Sequence, residues 1–143
     1  MLPHMTAFDA IRFDLVLRGC APCRDEIETS MGDMGCLAYK DTLLSDCSLG
    51  MRKRIALAGA FAAPTPVVLL DEPINGLDAE GVIRLKKNMR AAADQGSIVV
   101  VSAHVLAFMQ QVCDRVLLLK EGKIVRDVPV GDVDIEVEFL KLL

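Results

Sequence analysis

Apolar positions along this chain follow two spacings. In the first third they recur every three or four residues. Phe8, Ile11 and Leu15 predict a helix from Thr6 to about Arg18, with Thr6 as its cap and Gly19 as its stop. Asp9 stands where a capping box carries Glu. Ile27, Met31 and Met34 share one face of a second helix, Arg24 to about Leu37, which Gly32 and Gly35 weaken. Lys40 to Cys47 is polar and turn-like. Met51, Ile55, Ala58 and Ala62 restore the helical spacing, and Pro64 and Pro66 end that helix.

Beyond Pro66 short apolar runs alternate with helices. Val67-Val68-Leu69-Leu70 has the form of a strand buried on both faces and closes on Asp71-Glu72-Pro73. Asp78 caps a helix from Ala79 to Gln95, with Val82, Leu85, Met89 and Ala92 inward and Gly96 past its end. Ile98 to Val101 reads as a second buried strand, and Val105 to Val112 as a helix. Val116–Leu119 and Lys123–Val125 flank Glu121-Gly122 as a hairpin. The tail, Asp132 to Leu143, supports two readings: Val133, Ile135 and Val137 alternate, whereas Ile135, Phe139 and Leu142 suit a helix. Strand, helix, strand, helix, strand predicts an α/β fold with a parallel sheet and flanking helices. Function in such sheets gathers at the carboxyl ends of the strands. Asp71 and Glu72 end one strand; Ser102 and His104 follow another.

Composition bounds this picture. The chain has 143 residues, enough for one domain with its own core. Sixteen Lys and Arg against twenty Asp and Glu give a net charge of -4, which argues against a general nucleic-acid binder. Apolar residues make up 52% and mean hydropathy is +0.38, yet no run reaches the ~18–20 residues of a membrane span. Aromatics are only 4%, so the excess is aliphatic, as in buried parallel strands. The five cysteines and the start, Met1-Leu2-Pro3-His4, fit reduced thiols in the cytoplasm. Cys20-Ala21-Pro22-Cys23 offers a redox pair or half a zinc site. It has no second close pair and no preceding strand, which favours small residues at a helix–helix turn.

The adjacent acids carry the first chemistry. Successive strand residues point to opposite faces, so Asp71 and Glu72 can take different tasks. One can hold Mg²⁺ through water, and the other can orient and deprotonate an attacking water. Alone, the pair is equally the acidic end of a strand turning into solvent. Ser48-Leu49-Gly50-Met51 opens a helix whose Ser hydroxyl, Gly and free N–H groups suit a phosphate, although Ser48 alone reads as a plain cap. Arg52-Lys53-Arg54 reads as a solvated basic face.

Taken in order, S-x-G-M-R-x-R, an apolar strand closing on D-E-P, N-G-L-D and S-A-H closely resemble the ATP-binding cassette (ABC) transporter ATPases. Ser48 to Met51 resembles the signature loop, commonly written LSGGQ, with Leu49 in place of its first Gly and Met51 in place of its Gln. That form is similar to cassettes serving ABC-2-type exporters. Val67 to Glu72 resembles the Walker B strand, Asn75 to Asp78 the D-loop, and His104 the switch histidine. The resemblance implies that Asp71 helps position Mg²⁺, Glu72 is the catalytic base, and His104 touches the γ-phosphate. It implies that Ser48, Gly50 and Met51 meet ATP bound to the opposite subunit, and that Asp78 communicates across the dimer.

Residues 5–47 resemble the helical subdomain that docks on a membrane-spanning permease; residues 48–143 carry the signature helix, Walker B, D-loop, switch histidine and C-terminal hairpin. ATP and Mg²⁺ are the implied cofactors. A second ABC ATPase subunit and a permease are the implied partners, with a peripheral place on the cytoplasmic face of the membrane. DNA-repair and chromosome-structuring ATPases share two of these loops, but they need coiled-coil arms or a basic DNA surface.

The phosphate loop G-x-x-x-x-G-K-[ST] is not in the sequence. The one Gly-Lys, Gly122-Lys123, is followed by Ile124, has Leu117 where the first Gly belongs, and falls in the expected hairpin. Leu2 to Thr6 resembles the stretch just after the family's Q-loop. The expectation is therefore a partial P-loop NTPase fold, an internal Met at position 1, and a chain inactive alone. In the family fold the phosphate-loop strand lies between the strands at Ile98–Val101 and Val116–Leu119, so two apolar edges are expected to lack a partner. The alternative is a non-catalytic regulatory or remnant fragment of such a cassette.

Overall fold

A computed structural model describes residues 4–21 and 23–141. Leu2 and Pro3 of the start, Pro22 of the cysteine turn and Leu142 of the tail lie outside them. The chain forms two compact units, one ending at Ser102 and the other beginning at Ala103.

The first unit opens with α1 (Ala7–Leu17). Thr6 Oγ1 accepts the Asp9 N–H at 3.1 Å and donates to Asp9 Oδ2 at 2.9 Å, the expected cap. Helix α2 (Arg24–Asp33) is shorter than its apolar spacing predicts. Gly35 takes φ +68, and the Gly35 and Cys36 N–H groups turn back onto the carbonyls of Gly32 and Met31. A left-handed glycine thus closes the helix while Met34 still reaches the core. Two short turns of 3₁₀ helix, Leu37–Tyr39 and Leu44–Asp46, lead to α3 (Leu49–Phe61). Ile11, Leu15, Ile27, Met31, Met34, Ile55 and Leu85 are fully buried and make the core. Ser30 is buried among them, and its hydroxyl donates to the Ala58 carbonyl at 2.7 Å, so no polar atom is stranded.

Strands β1 (Val67–Asp71) and β2 (Ile98–Ser102) pair in parallel, from Val67 opposite Ile98 to Asp71 opposite Ser102. Helix α4 (Ala79–Asp94) is the crossover. The expectation of strands buried on both faces is overturned. Val68 and Leu70 are buried, but Leu69 is 74% exposed, and in β2 Ile98 and Val100 are 63% and 51% exposed. Among the described residues β2 pairs only with β1, so the pair has helices to cover one face and none for the other.

The second unit holds α5 (Leu106–Val112), β3 (Arg115–Lys120), β4 (Lys123–Pro129) and α6 (Ile135–Leu140). β3 and β4 form an antiparallel hairpin, so the third strand of the expected parallel sheet pairs here with its own successor. Glu121 and Gly122 both take positive φ, 51° and 73°, as a two-residue hairpin turn matching strand twist requires. Val116, Leu118, Val130 and Ile135 form its core. The tail resolves as a helix. Gln110 anchors its entry, accepting the Ile135 N–H at 3.0 Å and donating to the Val130 and Val133 carbonyls.

Candidate functional site

The site is built at the start of α3, the end of β1 and the turn before α4. Ser48 is extended, and its Oγ accepts the Met51 N–H at 3.2 Å, satisfying one of the free donors at the start of α3. A Cβ on Gly50 would lie 3.4 Å from the Gly76 carbonyl oxygen, and one on Gly76 would lie 3.9 Å from Leu49 Cδ2. Gly76 itself takes φ +80. The Ser48–Met51 loop and the Asn75–Asp78 turn therefore lie side by side, with glycine on each side of the closest approach.

The parallel register brings Ser102 beside the two acids. Its Oγ donates to Asp71 Oδ1 at 2.5 Å and accepts the Glu72 N–H at 3.0 Å. The same N–H reaches the Ser102 carbonyl at 3.2 Å. Glu72 takes φ +42, unusual for a residue with a side chain. Its carbonyl accepts from Lys53 Nζ at 3.1 Å and from the Asn75 N–H at 3.3 Å, and Asn75 Nδ2 lies 3.5 Å from its carboxylate. The surroundings thus fix a backbone conformation costing about 1–3 kcal/mol. This corrects the reasoning from strand alternation: Glu72 lies past β1, and a left-handed turn, not the pleat, sets its direction.

Asp78 is the N-cap of α4. Its Oδ1 accepts the Gly81 N–H at 2.8 Å and Arg54 Nη2 at 2.5 Å. The Gly81 N–H first, then the Arg54 guanidinium, hold its carboxyl below the usual carboxylate range. The basic run is not one solvated face. Arg52 is exposed, Lys53 is half-buried on Glu72, and Arg54 is 8% exposed, donating to the Met34 carbonyl at 3.2 Å. Consecutive helical residues step by about 100°, so a run of three cannot share a face.

Ser48, Gly50, Met51, Asp71, Glu72 and Asp78 all belong to the first unit; His104 lies in the second, exposed, just before α5. Sequence reasoning missed Lys53 and Arg54 as partners of the site. It noted Ser102 without its bond to Asp71. Aligning the two four-residue apolar runs would have paired Asp71 with Ser102. Burial pushes the Cys36 thiol up to about 11 and raises those of Cys47 and Cys113. No group of three His, Cys, Asp or Glu among the described residues is placed to hold a metal.

A parallel pair joined by a crossover helix, with carboxylates at its carboxyl end, is an α/β arrangement that places polar groups where such sheets bind ligands. A solved chain described as "Structure of ATP binding subunit of ABC transporter" superimposes with a TM-score of 0.87 at 18% identity, covering 99% of this chain and 64% of that one. The fold is thus that of a partial P-loop NTPase of the ABC ATPase kind. Residues 1–75 match the family model for the ABC transporter, and the chain belongs to that family.

The bacitracin transport ATP-binding protein BcrA of Enterococcus faecalis is 28% identical over 131 residues, 91% of this chain and 42% of that protein. The SkfA peptide export ATP-binding protein SkfE of Bacillus subtilis (strain 168) is 29% identical over 145 residues, 99% of this chain and 60% of that protein. The glutamate/aspartate import ATP-binding protein GltL of Escherichia coli (strain K12) is 28% identical, covering 90% and 55%. The chain spans about half the length of these relatives.

Proposed function

We propose that this chain carries the signature loop, catalytic acids and D-loop of an ATP-hydrolysing ABC transporter subunit that powers export through a membrane permease. The observation that supports this most is the Ser102-braced pair Asp71 and Glu72 at the end of a parallel strand, in one unit with the Ser48-capped start of α3. Glu72 orients and deprotonates the attacking water. Its N–H is bound to Ser102 and its carbonyl to Lys53, which limits how far the backbone carrying this carboxylate can swing. Ser48 and Gly50 meet the γ-phosphate, and Met51 the ATP, held by a second ABC ATPase subunit, where the start of α3 favours negative charge. His104 touches the γ-phosphate.

Asp71 is an exposed carboxylate, a hard oxygen donor of the kind that fits Mg²⁺, and would help hold it through water. When bound, Mg²⁺ neutralises charge on the β- and γ-phosphates. Asp78 communicates across the dimer. Residues 5–47 form the subdomain that docks on the permease. No helix among the described residues is long and apolar enough to cross a membrane, and a peripheral place on the cytoplasmic face follows from docking on a permease. The relative named for peptide export, together with this chain's own S-x-G-M form, supports export.

The test grafts the residues of SkfE that precede its match to this chain, which would supply the missing phosphate loop, ahead of Met1. Mg²⁺-dependent ATP hydrolysis is expected, falling by about 100-fold or more in Glu72→Gln. A graft that binds ATP and hydrolyses it equally well with Glu72→Gln contradicts the reading.

A further inference from the structure

A guanidinium nearly shut off from water has to be paired on several sides, because each unpaired N–H would be a desolvated donor. Arg54, in the middle of α3, has a side chain 10% exposed. Its Nη1 donates to the Met34 carbonyl at 3.2 Å, and its Nη2 donates to Asp78 Oδ1 at 2.5 Å and lies 3.9 Å from Glu80 Oε2. One side chain thus joins the C-terminal end of α2 to the first residues of α4, which are far apart in sequence.

A second arginine acts on the same helix end. Arg84, on α4, pairs with Glu80 at 2.8 Å, and its Nη1 donates to the carbonyls of Gly32 at 3.2 Å and Asp33 at 3.1 Å. The last carbonyls of a helix lack intrahelical donors and sit at the negative end of its dipole, so they suit a cation. Three consecutive carbonyls at the end of α2 are therefore held by two guanidiniums. Gly35 leaves them room: a Cβ there would lie 2.6 Å from Arg54 Nη1 and 2.9 Å from Arg84 Nε.

We propose that Arg54 is a positioning residue that registers the Asp78 carboxylate on the C-terminal end of α2, so that a displacement of α2 is passed to the turn before α4. Given the proposed function, on which this rests for its meaning, a helix of the part that docks on the permease would thereby set the residue that meets the second subunit. Both contacts of Asp78, with Gly81 N–H and with Arg54, fall on the same oxygen, so loosening Arg54 changes the orientation of the carboxylate while the helix cap remains.

The experiment follows the Asp78 carboxyl by NMR pH titration in the full 143-residue chain. In Arg54→Met its pKa is expected to rise, because the hydrogen bond and the charge of Arg54 that hold it down are gone. Arg54→Lys, which keeps the charge but has no fork to span Met34 and Asp78, is expected to fall between the two and covers the case in which Arg54→Met does not fold. The decisive variant is Gly35→Ala, which touches neither Asp78 nor the charge of Arg54. Its added methyl displaces the guanidiniums at the end of α2, and the Asp78 pKa is expected to rise, by less than in Arg54→Met. Asp14→Asn, on α1, is expected to leave it unchanged.

An Asp78 pKa that moves in Arg54→Lys but not in folded Gly35→Ala overturns the coupling and makes Arg54 a local brace. Movement in Asp14→Asn as large as in Gly35→Ala overturns it too. Neither result bears on ATP hydrolysis, which the graft tests separately.

Discussion

In the helical part of the first unit Ile11, Leu15, Ile27, Met31 and Ile55 are wholly buried; in the strand pair of the same unit Val67, Leu69, Ile98 and Val100 are 47–74% exposed. The residue types are alike, large and apolar without aromatic rings, and their surroundings differ. Covering a side chain such as Leu69 completely is worth about 1.5–3 kcal/mol. The helices therefore form a finished core, and the sheet is stabilised from one face. The high mean hydropathy of the chain resides partly in that open face.

Truncations in the two regions should separate most widely. Leu85→Ala, in the core, is expected to cost about 2–5 kcal/mol in urea unfolding, because it leaves a cavity. Leu69→Thr is expected to change stability by no more than about 0.5 kcal/mol. Equal losses would abolish the distinction. A second contrast is colloidal. Leu69→Lys with Val100→Lys is expected to keep the chain monomeric at concentrations where the parent self-associates, measured by light scattering. No change would show that the open face does not govern association.

Two glycines close together in α2 and its end give a smaller effect of opposite sign. Gly35→Ala is expected to cost about 1–2 kcal/mol for its left-handed backbone, while Gly32→Ala, with open space around it, should gain a few tenths up to about 1 kcal/mol. The smallest effect is on pH. The folded carboxyl of Asp78 lies below its unfolded value, so its contribution is present above the unfolded pKa and is lost as pH falls through the folded one. Asp78→Asn still caps α4 but carries no charge, so its thermal midpoint is expected to fall less steeply below about pH 4 than the parent's.

What the sequence made legible were features set locally. Thr6 with Asp9, Ser48, and Asp78 cap the helices they were read to cap, and Glu121-Gly122 turns the hairpin as read. Features set by tertiary neighbours were not legible. Val67 to Leu70 has the run of a doubly covered strand, but the run cannot say which faces have partners within this chain. Arg54 has the composition of a solvated cation and becomes buried only because α2 and the turn before α4 converge on it. Asp71 and Glu72 were legible as a pair, whereas the turn that aims Glu72 depends on Ser102 and Lys53, distant in sequence.

The measurement closest to the central claim is MgATP turnover by the purified 143-residue chain beside its Glu72→Gln variant. With the proposed catalytic acids but no G-x-x-x-x-G-K-[ST] in its sequence, the chain is expected to show no hydrolysis above that of Glu72→Gln. Robust Mg²⁺-dependent turnover that Glu72→Gln abolishes would contradict it.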